Sequence, residues 1–298
     1  MTMLKTLSTL AAVLAVFSGT ALAGEIKPVF IGESERAFSR PHDVAIAPTG
    51  LYLVVADLGN DAVKVLDPGR LKVLAAFGQG ELSSPHDVAF GKDERLYVAD
   101  TGNDRVMVYT FKGVFRDGSA NAEHIETYTQ GIVTPEGVAE GSNGRVYVAN
   151  TGAGSIVALE AGRVVKTVEA AGGTPLARPH DIHVGPKDRV YLADSGNHRV
   201  LVFDRDLNLL SELKKPDYAF NEPKYVATDE DGTLFLADEY NHQIKIFDAD
   251  FRQVGTIGSG TRGDGPDGLN GPEGVDVAGR YLWISDTHNH RIMLFKTR

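Results

Sequence analysis

Three short stretches, RPHDVAI from Arg40, SSPHDVAF from Ser83 and RPHDIHV from Arg178, each place a histidine between a proline and an aspartate. Three further stretches stand in the same register, TPEGVAE from Thr134, EPKYVAT from Glu222 and GPEGVDV from Gly271. The residue after each proline is therefore His42, His86, Glu136, His180, Lys224 or Glu273. Neutral imidazole and carboxylate are ligands for a divalent metal, and three of them leave a coordination position open. His42, His86, Glu136 and His180 come from consecutive units and are the candidate metal ligands. Zinc is the first choice of ion, with copper or iron as alternatives. Asp43, Asp87 and Asp181 would either orient those imidazoles or satisfy nearby backbone amides, as short acidic side chains after a proline do. The histidines themselves carry two readings: a shared site, or inheritance by copying of a repeat.

The elements that must position these residues follow from the repeat. The prolines Pro41, Pro85, Pro135, Pro179, Pro223 and Pro272 are 44, 50, 44, 44 and 49 residues apart. After each comes an alternating strand (LYLVVAD, RLYVAD, RVYVAN, RVYLAD, TLFLAD, YLWISD), a polar turn and a third strand. Period-two apolar patterning with Gly, Asn and Asp at the bends predicts antiparallel hairpins. Four short strands in about 45 residues make a propeller blade. The sequence predicts an all-β, six-bladed propeller. The last unit ends after its third strand, and Ile26–Glu33 has the pattern of the missing fourth. The N-terminal strand is thus expected to complete the last blade and cover its open edge.

Antiparallel connectivity puts the proline-led strand starts and the turns after the second strands at one mouth of the channel. Turns such as Gly91–Glu94 and Thr228–Gly232 belong to the opposite face. His198, His242, His288 and His290 lie in the first set of turns, where Asn and His side chains stitch a turn to its neighbour.

Residues 1–23 read as a signal peptide: a basic start with Lys5, an apolar run of about a dozen residues and a small-x-small triplet at Ala21–Ala23. The expected mature chain, 24–298, is a single propeller domain in the periplasm or outside the cell. With no cysteine, neither disulfides nor thiolate metal sites contribute. A net charge of −10, from 40 acidic and 30 basic residues, opposes nucleic acid and anionic membranes as general partners. No later stretch is long and apolar enough to span a membrane. A closed ring needs no second subunit, so a monomer is expected.

Asn103-Asp104-Arg105, Asn197-His198-Arg199, Asn241-His242-Gln243 and Asn289-His290-Arg291, each a few residues after an Ala-Asp or Ser-Asp, resemble the NHL-repeat β-propellers. That resemblance covers essentially the whole mature chain and implies the fold, while propellers host many unrelated functions. The Pro-His starts further resemble the peptidyl-hydroxyglycine α-amidating lyases. That likeness implies His42, His86 and His180 as zinc ligands, Asp181 as the substrate-side aspartate and Tyr240 as the tyrosine. Two departures stand against the activity. The histidines fall in units one, two and four rather than alternate ones. The loop position expected to hold arginine holds Leu58, Thr101, Thr151, Ser195, Glu239 and Thr287.

The leading expectation is an exported binding or sensing module that takes a divalent metal or a small polar ligand at the channel mouth. The alternatives are a metal-dependent lyase, with Tyr240 or Asp181 moving the proton, and a metal-free scaffold that binds a protein through its acidic rim.

Overall fold

A computed structural model describes residues 25–214 and 216–297. The signal-peptide reading of residues 1–23 lies outside the described residues. Six four-stranded antiparallel sheets surround a central channel, and no α-helix occurs among the described residues. The inner strands are Pro41–Ile46, Pro85–Phe90, Pro135–Glu140, Pro179–Gly185, Pro223–Thr228 and Pro272–Ala278. Each packs against the next, and the sixth packs against the first. A two-stranded hairpin, Ala170–Ala171 with Thr174–Pro175, sits between blades three and four.

Closure follows the expected route. Val29–Glu33 pairs antiparallel with Arg291–Lys296, so the fourth strand of the last blade comes from the other end of the chain. Arg291 locks it with ion pairs to Glu33 and to the buried Asp286. Ile26 N–H also donates to the Val254 carbonyl of blade five at 2.7 Å.

There is no single core. Apolar side chains form one cluster at each interface between blades, a consequence of period-two strands buried on both faces. In the second strand of blade one, Val54 and Ala56 join the cluster shared with blade two. Leu53 and Val55 join the cluster shared with blade six. A large-to-small change in any such cluster is expected to cost ~2–5 kcal/mol.

The strand starts carry the geometry that matters for function. In blade one Pro41 pairs with Asp57, but the next partners are Val44 and Val55, so the ladder bulges at His42-Asp43. Blades four, five and six bulge at the same place, and blades two and three within one residue of it. A bulge breaks the strict in–out alternation and re-aims the side chain. The residue before each proline is left-handed in every blade, with φ of 47° to 57° from Thr134 to Glu222.

Candidate metal centre at the channel mouth

The mouth is built from two repeated parts. The first is the turn after the second strand. Its Asp (Asp57, Asp100, Asp194, Asp238 or Asp286) is fully buried. In blade four, Asp194 accepts from the Ala177 amide at 2.8 Å, from Asn197 at 2.8 Å and from Arg199 at 2.6 Å. The Asn and the basic residue of the triplet are thus structural partners of one carboxylate. The middle residue of the triplet is left-handed, and its side chain reaches the next blade. His198, His242 and His290 accept the amides of Glu222, Gly271 and Arg40 through Nδ1, each at 3.0 Å. Asp61 and Asp104 do the same to Ser84 and Thr134 at 2.7 Å. These three histidines are stitches, as expected.

The second part is the ring. The bulges bring His42, His86, Glu136, His180, Lys224 and Glu273 to the channel. His42 and His86 meet edge to face with ring centres 4.5 Å apart. His42 and His180, from opposite blades, face each other at 6.4 Å and 9°. His42 Nδ1 lies 3.0 Å from Glu273 Oε2, and His180 Nε2 lies 3.8 Å from the same oxygen and 3.5 Å from Glu136 Oε2. Ligand atoms of His42, His180 and Glu273 all fall within 4.8 Å of one another, and all three residues are buried. His42 Nδ1 and Glu273 Oε2 nevertheless make no hydrogen bond, nor does His180 Nδ1. Buried polar atoms normally find partners, so a buried carboxylate oxygen shared by two imidazoles without a well-aligned hydrogen bond is unusual.

Of the four residues chosen from sequence, His42 and His180 belong to this group. Glu136 stands beside His180, and His86 beside His42. Glu273 completes the group and was missed as a ligand. Ring closure makes blade six a neighbour of blade one, and that adjacency was the available signal. Asp181 and Tyr240, the candidate proton movers, are far apart in environment. Asp181 is buried beneath the ring, and Tyr240 is 52% exposed on the rim.

The aspartates do not touch the imidazoles. Asp43, Asp87 and Asp181 each accept the amide of the next blade's inner strand, at Val88, Val138 and Val226. They seam the blades together. Burial raises all three, with mutual repulsion adding at Asp43 and Asp181; Asp87 is pushed up to about 7. Beneath the ring, Tyr225 crosses the channel and donates to the carbonyls of His86 at 2.9 Å and Glu136 at 3.3 Å. The tyrosine stands between the mouth and a cavity of about 290 Å³ on the far side, whose lining includes Asp43, Asp87, Asp181 and Asp276.

Burial and neighbouring charge shift His180, His86, Glu273 and Lys224. Burial, then Lys224 and the other two imidazoles, holds His180 well below its ordinary range. Burial and His42 bring His86 down to about 3. Burial would raise Glu273, but His42 and Lys224 outweigh it and hold the carboxyl at about 2. Lys224 is raised although burial opposes its charge, because Glu273, Glu239, Glu136 and Glu222 surround it.

Residues 82–109 and 176–203 match the NHL repeat. The chain carries NHL repeats. No curated protein matches it significantly. Among solved structures, this propeller is similar to a streptogramin B lyase, with TM-score 0.61 and 13% identity over 92% of this chain and 98% of the other. A Bacteroides thetaiotaomicron protein of unknown function aligns with TM-score 0.68 and 15% identity, over 92% of this chain and 72% of the other. Hydrazine synthase from Kuenenia stuttgartiensis aligns with TM-score 0.62 and 15% identity, over 88% and 96%. At these identities the likeness is one of fold.

Proposed function

We propose that the mouth of this NHL propeller binds one divalent metal through His42, His180 and Glu273, and that the chain acts as an exported binding or sensing module. One observation carries the reading: two imidazoles and a carboxylate from blades one, four and six converge within 4.8 Å while buried. His42 Nδ1 faces Glu273 Oε2 at 3.0 Å, and His180 Nε2 stands 3.8 Å from the same oxygen. Neutral His180 and ionised Glu273 can bind without first losing a proton. The mouth also holds four carboxylates around one lysine, an excess of negative charge that a cation offsets. Two nitrogens and an oxygen suit zinc, with copper or iron next. Such an ion would act as a Lewis acid on a ligand oxygen at its open position.

A lyase reading is favoured by one feature, the exposed Tyr240 phenol on the rim beside Glu239. Asp181 is committed to the Val226 amide at 2.8 Å, so Tyr240 is the better placed of the two to move a proton.

Mature chain purified without a histidine tag should carry about one metal per chain by mass spectrometry, and His42→Ala, His180→Ala and Glu273→Gln should each lose it. No metal in the wild type, even after reconstitution, would overturn the metal readings and leave the scaffold. Turnover of an α-hydroxyglycine peptide, lost in His180→Ala with folding intact, would replace the sensing module by the lyase. Export is proposed from the leader-like start, and N-terminal sequencing of the protein from its native host would test it.

A further inference from the structure

The six turns after the second strands read LGN, TGN, TGA, SGN, EYN and THN. Their first residue is a hydroxyl in four blades. Thr101, Thr151, Ser195 and Thr287 donate to the carbonyls of Pro135, Pro179, Pro223 and Pro41, another stitch between blades. Their second residue is glycine in blades one to four, and the space there is closed. A Cβ on Gly196 would come within 2.6 Å of the Ala177 carbonyl oxygen, and one on Gly59 within 2.7 Å of the Ser39 oxygen.

Blades five and six depart from this pattern, with Glu239-Tyr240 and His288. Glu239 gives up the stitch and turns its carboxylate to the mouth. It is 4% exposed, and its Oε2 has no hydrogen-bond partner although Lys224 Nζ lies 3.4 Å away. His288 brings its Nε2 to 3.7 Å from Glu239 Oε1. Its ring lies over Gly271, where a Cβ would fall 2.3 Å from His288 Cδ2. The other five blades carry a side chain at Gly271's position: Arg40, Ser84, Thr134, Arg178 and Glu222. The His288 side chain and the missing one at 271 form a matched pair. The repeat is broken on one arc of the mouth, and the broken positions converge.

The ligand atoms of Glu239, Glu273 and His288 lie within 4.8 Å of one another. We propose that this arc is a second divalent-cation position, sharing Glu273 with the first, so that the mouth is a two-cation centre. The inference rests on the metal reading above and extends it. Glu273 has two oxygens and can serve two cations. The two positions differ in chemistry. The first offers two nitrogens and one oxygen, whereas the second offers two oxygens and one nitrogen and suits a harder ion such as manganese. Lys224 flanks the second position, and its ammonium stands where it opposes a second cation.

Full-length mature wild type, stripped with chelator, is titrated with Zn²⁺ and with Mn²⁺, and bound metal is counted after gel filtration. Wild type should hold two equivalents, while Glu239→Gln and His288→Ala should hold one. Lys224→Met should tighten the second equivalent by roughly tenfold or more. His288 is on the rim, so its loss tests the proposal even where Glu239→Gln disturbs folding. With Mn²⁺ in both positions, electron paramagnetic resonance should show a coupled pair, absent in His288→Ala. Saturation at one equivalent in wild type, unchanged in Glu239→Gln and His288→Ala, would overturn the second position and leave the first standing. No binding in wild type would overturn both.

Discussion

The histidine and the aspartate of each Pro-His-Asp start are adjacent in sequence and lead different lives. His42 and His180 bring imidazole nitrogens to a shared carboxylate oxygen at the mouth, whereas His86 Nδ1 is spent on the Ser84 carbonyl. Asp43, Asp87 and Asp181 lie one residue deeper, each spent on a neighbouring blade's amide. Tyr225 crosses the channel below the ring. One repeat thus writes a binding tier and a seam side by side, and repetition alone does not distinguish them. The distinguishing mark is whether the polar atoms are already satisfied.

The largest effect should come from the binding tier. His180→Ala should weaken metal binding by ~100-fold or more, since even an outer-shell change costs 10–100-fold, and should barely move the denaturant midpoint of the metal-free protein. Asp181→Ala should do the reverse. Stranding the buried Val226 amide should cost ~1–3 kcal/mol in urea unfolding, with metal content of the folded protein unchanged. Comparable stability losses and equal metal content in both variants would break the comparison.

The contrast between the kept and broken turns can be sharpened in the same way. Gly196→Ala should destabilise by ~1–3 kcal/mol through overpacking against Ala177, whereas Tyr240→Gly should be close to neutral by the same measurement.

A pH dependence comes from His183, away from the ring, which burial lowers to about 4 from 6.5. Below pH 6.5 the unfolded chain takes up a proton that the folded one refuses, so this contribution to stability is lost as pH falls from 6.5 toward 4. Between pH 7 and pH 5 the loss is on the order of 2 kcal/mol. Asp87 and Asp276, raised by burial to about 7 and about 6, act in the opposite direction. The readout is therefore a difference: His183→Gln should lose less stability than wild type over that range. Tyr225→Phe should cost ~1 kcal/mol for the bonds across the channel.

Much of the fold was legible in the sequence because its determinants are local and repeated. The six prolines mark inner strands, alternation gives the hairpins, and the strand missing from the last unit appears at Ile26–Glu33. The turn histidines were legible too, since His198, His242 and His290 follow Asn in a shared register. Side-chain direction at the ring was not, because it depends on bulges that leave no mark in the apolar pattern. Glu273 was in the ring but not among the candidate ligands, which were read along the chain although a closed ring joins its ends. Glu239 and His288 were assigned to turns as a class, although each departs from the residue its turn otherwise uses. Tyr225 spans the channel to blades two and three, a contact between residues 139 apart that no local pattern encodes.

The central claim is that opposite blades give two histidines to one metal. X-ray absorption at the zinc edge, on mature tag-free protein loaded with one equivalent of zinc, tests it most directly. The account predicts two imidazoles and a carboxylate at distances of ~2.0–2.2 Å, with one imidazole lost in His180→Ala and none in His198→Ala. A zinc environment of oxygen alone, or one unchanged by His180→Ala, would contradict it.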